Sequence, residues 1–363
     1  MVKYHKDLDS IGISAVHRIY SFDNRTALEA LANVRYYMIR KEFTQNLPYG
    51  FSKYKDYSTE TNEYTIYKND YPLSIGYTYD KYIDNEEYEK LSAIEKQQVM
   101  LEAAVLDTKN VKSLAKEDTR SVSDKIKYGT VTVKSKDGVV VKTDRIRSKK
   151  EESTLTLSYE KKKGYEAYLM LDGVITKKPR IKAKISTDNM EKNIVLRNND
   201  LTYALGRDSY LINLGYSDTS ESEDVTFTIP IEAKINYSDV KVCYVPMDDY
   251  VSQIEERNEE SLQNVLTDKN NEVSGNVTLS SDKVMVFSIP YSSGWKAYVD
   301  GKETSVFRAN TMYMGINMTK GSHKVVLRYN SPGLHLGMMA SAAGIIIWIL
   351  LAVASKKKKQ KGR

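Results

Sequence analysis

The C-terminal apolar run constrains this chain more than any other sequence feature. Residues 334–354 read LHLGMMASAAGIIIWILLAVA and contain no acidic, Lys or Arg side chain, and a Lys-rich tail follows directly. About 20 apolar residues are enough for a helix to cross the roughly 30 Å hydrocarbon core of a membrane. A buried core helix is the alternative, but core helices are usually shorter and amphipathic. The sequence therefore predicts a transmembrane helix over residues 333–355.

The basic tail, residues 356–363, predicts an orientation. Lys and Arg accumulate on the cytoplasmic side of membrane helices, so we expect the tail in the cytoplasm and the rest of the chain outside it. The chain has 54 Lys and Arg against 48 Asp and Glu, and the six basic residues of the tail account for the whole excess. We expect the tail to contact anionic membrane lipid. The balanced charges elsewhere argue against a nucleic-acid partner.

Residues 1–20 carry no apolar stretch of the kind that directs export, and no second apolar run of membrane-spanning length follows. A large domain outside the cytoplasm needs a route across the membrane. We therefore expect this chain to be the C-terminal part of a longer polytopic protein, with an N-terminal transmembrane module missing here.

The pattern of short helical and strand segments predicts a mixed α+β protein that is mostly β. Residues 1–107 predict an α/β lobe, in which a capping box at Ser92 and Glu95 opens a helix that runs to Leu106. Residues 108–246 alternate polar and apolar side chains between turns, which is typical of an antiparallel β-sandwich.

The next segment, residues 247–272, predicts a linking helix from Asp248 to Val265. Residues 273–332 predict a further β domain that contains the PYSSGW segment and an Asp300-Gly301 hairpin turn. Segments 164–173 and 294–301 share a weak pattern, which indicates either two related sandwiches or two hairpins with similar turns. The second interpretation is slightly favoured.

Nothing in the sequence assembles a catalytic or metal site. Cys243 is the single cysteine, and His5, His17, His323 and His335 are scattered. Nucleophile-elbow and phosphate-loop motifs are absent. The carboxylate pairs at 86–87, 248–249 and 255–256 are more typical of solvated helix surfaces than of acid–base catalysis. We therefore predict no catalytic residue, no metal and no cofactor for this chain.

The aromatic content suggests a ligand class instead. The chain contains 28 Tyr, and sugars pack their C–H faces on aromatic rings. Tyr291 and Trp295 flank a Ser-Ser-Gly turn, and Asp300 follows in the next turn. We take these three as candidate substrate-binding residues for a glycan. Core or hairpin packing is the commoner role for such residues, since aromatic side chains favour half-buried sheet faces.

Several segments together resemble the YfhO family of bacterial polytopic membrane proteins. They are DNRTALEALANVRYYM at 23–38, NDYPLSIGY at 69–77, KQQVMLEAAVL at 96–106, IPYSSGWKAYVDG at 289–301 and YNSPGLHLG at 329–337. The resemblance covers essentially the whole chain but only the C-terminal part of the family pattern.

The resemblance implies a GT-C-like glycosyltransferase of a Gram-positive-type bacterium. Such proteins are implicated in adding sugars from a lipid-phosphate-linked donor to a cell-wall glycopolymer such as lipoteichoic acid. Their catalytic carboxylate lies between early membrane helices, so this fragment is expected to be inactive alone. The alternatives are a membrane-anchored, non-catalytic glycan-binding or scaffold module, and a surface hydrolase that uses His323 and Asp300.

Overall fold

The computed structural model describes residues 2–11, 13–15, 18–19, 21–43, 45–198, 206–267 and 271–361. The described chain is mostly β, as the sequence predicts, with two antiparallel β-sandwiches, an α/β lobe and one long C-terminal helix. The fold class predicted from the sequence is confirmed.

The first sandwich is built from strands between residues 127 and 246. Its strand Ser153–Glu160 alternates buried and half-buried side chains, and Leu155, Leu157 and Tyr159 point into the core. One of its two larger sheets has four strands, in the spatial order Lys127–Thr130, Asp239–Pro246, Tyr165–Asp172, Tyr210–Ser217. The other has five strands, in the order Thr132–Asp137, Ser153–Glu160, Ser222–Ile229, Arg180–Thr187, Met190–Arg197. A small sheet adds Val139–Lys142, Arg145–Ser148, Lys234–Asn236 and Ile175–Thr176.

The second sandwich contains the C-terminal strands and one strand from the N-terminal lobe. Its five-stranded sheet has the order Gln263–Leu266, Glu272–Leu279, Gly321–Tyr329, Trp295–Val299, Lys302–Thr304. Its four-stranded sheet has the order Phe307–Ala309, Tyr313–Met318, Lys283–Pro290, Gly76–Tyr79. Residues 76–79 are all buried and pair with residues 284–287. The lobe therefore completes this sandwich, whereas the sequence division placed residues 1–107 in a separate unit.

The α/β lobe carries two three-stranded sheets and most of the helices. One sheet is antiparallel, with the order Tyr36–Arg40, Glu63–Asn69, Phe51–Ser58, and the other is parallel, with the order Ala104–Leu106, Lys81–Asp84, Ala115–Lys116. The helices are Val2–Asp7, Thr26–Leu31, Asn85–Lys90, Ala93–Glu102 and Arg120–Lys125, with a 3₁₀ turn at Thr108–Asn110 and a strand pair at Ile13–Ala15 and Arg18–Ile19.

Two predicted helices end earlier than the sequence pattern indicates. The capping box of Ser92 and Glu95 is present, but the helix ends at Glu102 because residues 104–106 form a buried parallel strand. The linking helix spans only Tyr250–Glu259, and Gln263–Leu266 forms an edge strand. Asp249, not Asp248, precedes this helix, without a side-chain cap. In both cases strand pairing, of residues 104–106 with 82–84 and of residues 263–266 with 274–276, overrides a local helical pattern.

The similar segments 164–173 and 294–301 belong to different structures. Asp300 and Gly301 form the turn of a hairpin between Trp295–Val299 and Lys302–Thr304. Strand Tyr165–Asp172 instead lies between Tyr210–Ser217 and Asp239–Pro246 in the sheet. The chain does contain two sandwiches, but these segments are not equivalent hairpins within them.

A buried arginine fastens the lobe to the first sandwich. The fully buried guanidinium of Arg25 donates hydrogen bonds to the backbone carbonyls of Leu8, at 2.7 Å, and Leu211. Its neighbour Thr26 donates through its hydroxyl to the buried Glu166 carboxylate at 2.8 Å. The bond to Leu8 lies within the lobe, whereas the bonds to Leu211 and Glu166 reach strands of the sandwich. This polar network therefore fixes the position of the lobe on the sandwich.

The C-terminal helix spans Leu334–Lys361, and its most apolar part is not buried against the described part of the chain. Residues 334–354 form a segment long and apolar enough to cross a membrane. Trp348 is 69% exposed. A continuous apolar surface of this size requires a partner other than water. The predicted transmembrane helix is therefore present as a helix of the expected length.

Candidate functional site

A cleft of about 460 Å³ lies between the lobe and the second sandwich. We call it the Tyr291 cleft. Clefts between structural units are common places for ligand sites, because both units contribute side chains. The lobe and the sandwich supply the lining residues Asn85, Asp107, Lys109, Asn110, Tyr291, Val306, Phe307, Arg308 and Thr311.

Tyr291 and Arg308 form a cation–π pair on the sandwich side of this cleft. Tyr291 follows strand Lys283–Pro290, and its N–H donates to the carbonyl of Met312 at 2.8 Å. The guanidinium carbon of Arg308 lies 5.3 Å from the centre of the Tyr291 ring. Among the residues that the structure describes, no carboxylate lies at ion-pairing distance from Arg308. An arginine held this way offers a planar fork of N–H donors to a phosphate or carboxylate.

The turn at Asn310 and Thr311 shapes the same wall. Both residues have left-handed backbone, with φ of 47° and 57°. The buried Asn310 side chain accepts from the Val105 N–H at 2.8 Å and donates to the Tyr79 hydroxyl at 3.1 Å, which anchors the turn to the lobe. The Thr311 hydroxyl is shielded from solvent and has no hydrogen-bond partner among the described residues. A polar ligand group in the cleft would satisfy it.

The lobe side of the cleft carries a fixed charge pair. Asp107 accepts from the backbone N–H of Lys109 at 3.2 Å, and its carboxylate lies 2.8 Å from the Lys109 ammonium. The hydrogen bond from Lys109 holds the pKa of Asp107 below its ordinary value, and the same bond raises the pKa of Lys109. Both groups are therefore charged at neutral pH, and Arg308 is the cation of the cleft that is not neutralised.

The predicted site residues fall in different environments. Tyr291 lines the cleft, whereas Trp295 packs against Tyr329, with ring centres 5.2 Å apart. Asp300 lies beyond the other end of strand Trp295–Val299, at the hairpin turn. The structure thus does not bring the three together around one ligand-sized space. Arg308 and Thr311 carried no sequence signal, because only the pairing of residues 307–309 with 313–315 places them beside Tyr291.

His323 and Asp300 do lie together, but as a hairpin brace. The Nδ1 of His323 is 2.7 Å from the Asp300 carboxylate, and Nε2 is 3.0 Å from the carbonyl of Thr319. The Thr319 carbonyl and the ionised Asp300 carboxylate only accept, so this arrangement favours the imidazolium form, in which both ring nitrogens donate. The hydrogen bond with Asp300 correspondingly raises the pKa of His323 and lowers that of Asp300. A ring without a free lone pair does not serve as a general base.

The loop that carries Tyr291 lies against the segment that enters the C-terminal helix. The N–H of Asn330 donates to the carbonyl of Gly294 at 2.9 Å. Gly294 is packed so closely that a Cβ there would lie 2.5 Å from the Asn330 carbonyl oxygen and 3.1 Å from Pro332. Because the helix begins at Leu334, this loop sits at the base of the candidate membrane span.

The described residues contain no group of three or more His, Cys, Asp or Glu side chains placed to hold a metal ion. Cys243 is buried, and burial raises the pKa of its thiol to about 12. Members of the three carboxylate pairs form ion pairs: Glu87 with Lys116 and Asp249 with Lys125 on the surface, and the exposed Glu256 with the buried Arg257.

The sequence profile of the family described as "Bacterial membrane protein YfhO" matches residues 2–341. This chain belongs to the YfhO family. The family description as a membrane protein agrees with the exposed apolar helix at residues 334–354. The resemblance stated from the sequence motifs is thereby confirmed.

A relative in the family is the protein named "Uncharacterized protein YfhO" of Bacillus subtilis strain 168. It is 24% identical over 380 residues, which cover 99% of this chain and 39% of the relative. The chain therefore spans about two fifths of that YfhO protein.

Among solved structures, a C-terminal CBM6 domain of the enzyme LamC from Zobellia galactanivorans aligns with 32% of this chain and 98% of that domain. The match has 11% identity and a TM-score of 0.23. A mutant of the arabinofuranosyltransferase AftD from Mycobacteria aligns with 50% of this chain and 14% of that protein, at 15% identity and a TM-score of 0.20. TM-scores in this range do not establish a shared fold.

Proposed function

We propose that this chain is the extracytoplasmic C-terminal region and last membrane span of a YfhO-like membrane glycosyltransferase. The full-length protein transfers sugar from a lipid-phosphate-linked donor to a cell-wall polymer such as lipoteichoic acid. In this proposal the Tyr291 cleft holds a phosphate-bearing part of a substrate, and the basic tail lies in the cytoplasm. The chain itself supplies binding groups and no catalytic residue.

The observation that carries the proposal is the Arg308–Tyr291 pair in a cleft near the base of the membrane helix. A donor linked to lipid by phosphate presents its sugar and phosphate close to the membrane surface. Arg308 supplies N–H donors for phosphate, and the ring of Tyr291 supplies an apolar face for a sugar. The unpartnered Thr311 hydroxyl supplies a further hydrogen bond.

An arginine substitution in the full-length protein tests this role. Arg308→Ala should lower polymer glycosylation by about tenfold or more, because a charge-assisted bond to phosphate is lost. The matched control is Arg328→Ala, which removes an arginine 5.4 Å from the Tyr298 ring in the same sandwich, outside the cleft. Both variants should reach the membrane in equal amount. Unchanged glycosylation by the Arg308 variant contradicts the proposal.

A second candidate function is a membrane-anchored glycan-binding module without transferase activity. A cleft that offers binding groups but no acid–base pair favours this alternative. The reading frame immediately upstream of Met1 separates the two functions. A run of encoded hydrophobic segments there supports the glycosyltransferase, and their absence supports the binding module.

A further inference from the structure

A second cleft, of about 490 Å³, lies in the first sandwich. We call it the Tyr216 cleft. It is formed where residues 45–47 of the lobe meet the ends of the strands Ser153–Glu160, Tyr165–Asp172 and Tyr210–Ser217. None of its lining residues belongs to the Tyr291 cleft, so its chemistry requires a separate explanation.

Three tyrosines line this cleft: Tyr165 and Tyr216, which are partly exposed, and Tyr159, which is buried. Tyr216 is 39% exposed and leans on Tyr49, with ring centres 4.7 Å apart. The ring of Tyr165 is held by the Lys127 ammonium, 4.7 Å from its centre. Tyr159 donates through its hydroxyl to Glu223 at 2.5 Å. Rings that are braced from behind lose little freedom when a ligand packs on them.

The charge of the cleft is cationic. Lys161 and Lys162 line it, and neither ammonium lies at ion-pairing distance from a carboxylate within the described part of the chain. The Lys162 ammonium lies 5.0 Å from the Tyr244 ring. The one lining carboxylate, Glu223, already accepts the hydroxyl of Tyr159. Two lysines therefore remain available for an anionic ligand.

Asn46 adds a group that complements hydroxyls. Its backbone carbonyl accepts from the Asn24 side chain at 2.6 Å, which fixes its position. Both polar atoms of its own amide are shielded and have no hydrogen-bond partner among the described residues. Gly215, with φ of +101°, faces it, and a Cβ there would lie 3.2 Å from the Asn46 Nδ2. Because Asn46 lines the cleft, a sugar hydroxyl that reaches this amide can both donate to it and accept from it.

We propose that the Tyr216 cleft binds a glycan that carries negative charge, as phosphodiester or carboxylate groups. The rings of Tyr165 and Tyr216 pack against sugar faces, Lys161 and Lys162 pair with the anionic groups, and Asn46 bonds to hydroxyls. This site goes beyond the function proposed for the Tyr291 cleft. Its occupation is measured as binding and does not depend on sugar transfer.

Binding of three probes to the full chain in nanodiscs tests the proposal. The probes are a glycosylated polyol-phosphate polymer, neutral dextran of matched length, and inorganic polyphosphate. We expect the glycosylated anion to bind most tightly of the three probes. Its binding should weaken as the salt concentration rises, because part of the attraction is electrostatic. Equal binding of dextran, or equal binding of polyphosphate, overturns the assignment.

Single substitutions locate the binding. Tyr216→Ala and Lys161→Ala should each weaken binding of the glycosylated anion by about tenfold. Asn46→Ala should weaken binding of the glycosylated anion but not binding of polyphosphate, since only the glycan carries hydroxyls for the amide. The controls are Tyr128→Ala and Lys182→Ala, which remove an exposed tyrosine and an exposed lysine of the same sandwich outside the cleft. Equal loss in the controls, or no loss in the cleft variants, overturns the proposal.

Discussion

The hydroxyl of Tyr37 donates a hydrogen bond to the carboxylate of Glu29, which is buried at the junction of the lobe and the first sandwich. Desolvation by burial raises the pKa of Glu29 to about 7, and the neighbouring carboxylates of Asp23 and Glu166 also raise it. A carboxyl group whose pKa is higher in the folded state favours folding at low pH. That contribution is complete below the ordinary pKa of 4.5 and is lost as the pH rises through about 7.

Glu29→Gln should therefore change the pH dependence of stability. Glutamine keeps an oxygen that accepts from Tyr37 but does not ionise. Relative to the unsubstituted chain, the variant should gain about 1–3 kcal/mol in free energy of unfolding between pH 5 and pH 8. Thermal unfolding in detergent at both pH values measures this difference. The exposed Glu60→Gln is the control, and an equal difference at both pH values for Glu29→Gln would contradict the prediction.

Asp300→Asn should lower the pKa of His323 and leave the hairpin intact. Asparagine tolerates the left-handed backbone of this position, where φ is 51°, but it brings no charge to the imidazole. The ion pair favours folding below the ordinary pKa of His323, and this contribution is lost as the pH rises through the raised value. NMR titration of the histidine resonances measures the shift. If the substitution also abolishes glycan binding, Asp300 is a ligand contact as well as a brace.

Trp295→Ala tests whether this residue packs or binds. Its ring lies on Tyr329 and against the core of the second sandwich, so we expect a loss of about 2–4 kcal/mol in free energy of unfolding. Trp295→Phe should retain most of that stability, because an aromatic ring remains against Tyr329. Membrane level, unfolding temperature and glycosylation are measured together. A folded, abundant Trp295→Ala variant with low glycosylation would instead identify Trp295 as a substrate contact.

Gly294→Ala should loosen the contact between the Tyr291 loop and the segment before the membrane helix. A Cβ at this position meets the Asn330 carbonyl at 2.5 Å, so one of the two backbones must move. We expect a cost of about 1–3 kcal/mol and lower glycosylation in the full-length protein. Gly337→Ala is the control, because a Cβ at Gly337 has nothing within 4 Å. Equal effects of the two substitutions would show that close packing at Gly294 is unimportant.

The sequence alone determined the features that depend on neighbouring residues. The apolar run 334–354 specifies a membrane-length helix, the Ser92–Glu95 capping box specifies a helix start, and Asp300-Gly301 specifies a tight hairpin. Each follows from composition or from backbone preferences over a few residues, and the tertiary structure leaves these three features in place.

Only the tertiary structure decided which distant segments meet. Residues 76–79 join a sheet more than 200 positions away, and residues 104–106 leave a helical pattern to form a buried strand. The pairing of residues 307–309 with 313–315 places Arg308 beside Tyr291, and packing of the lobe on the first sandwich places Asn46 beside Gly215. Such contacts depend on burial and strand pairing between remote parts of the chain, and no local pattern encodes them. The C-terminal apolar helix could therefore be predicted from the sequence, whereas the two clefts could not.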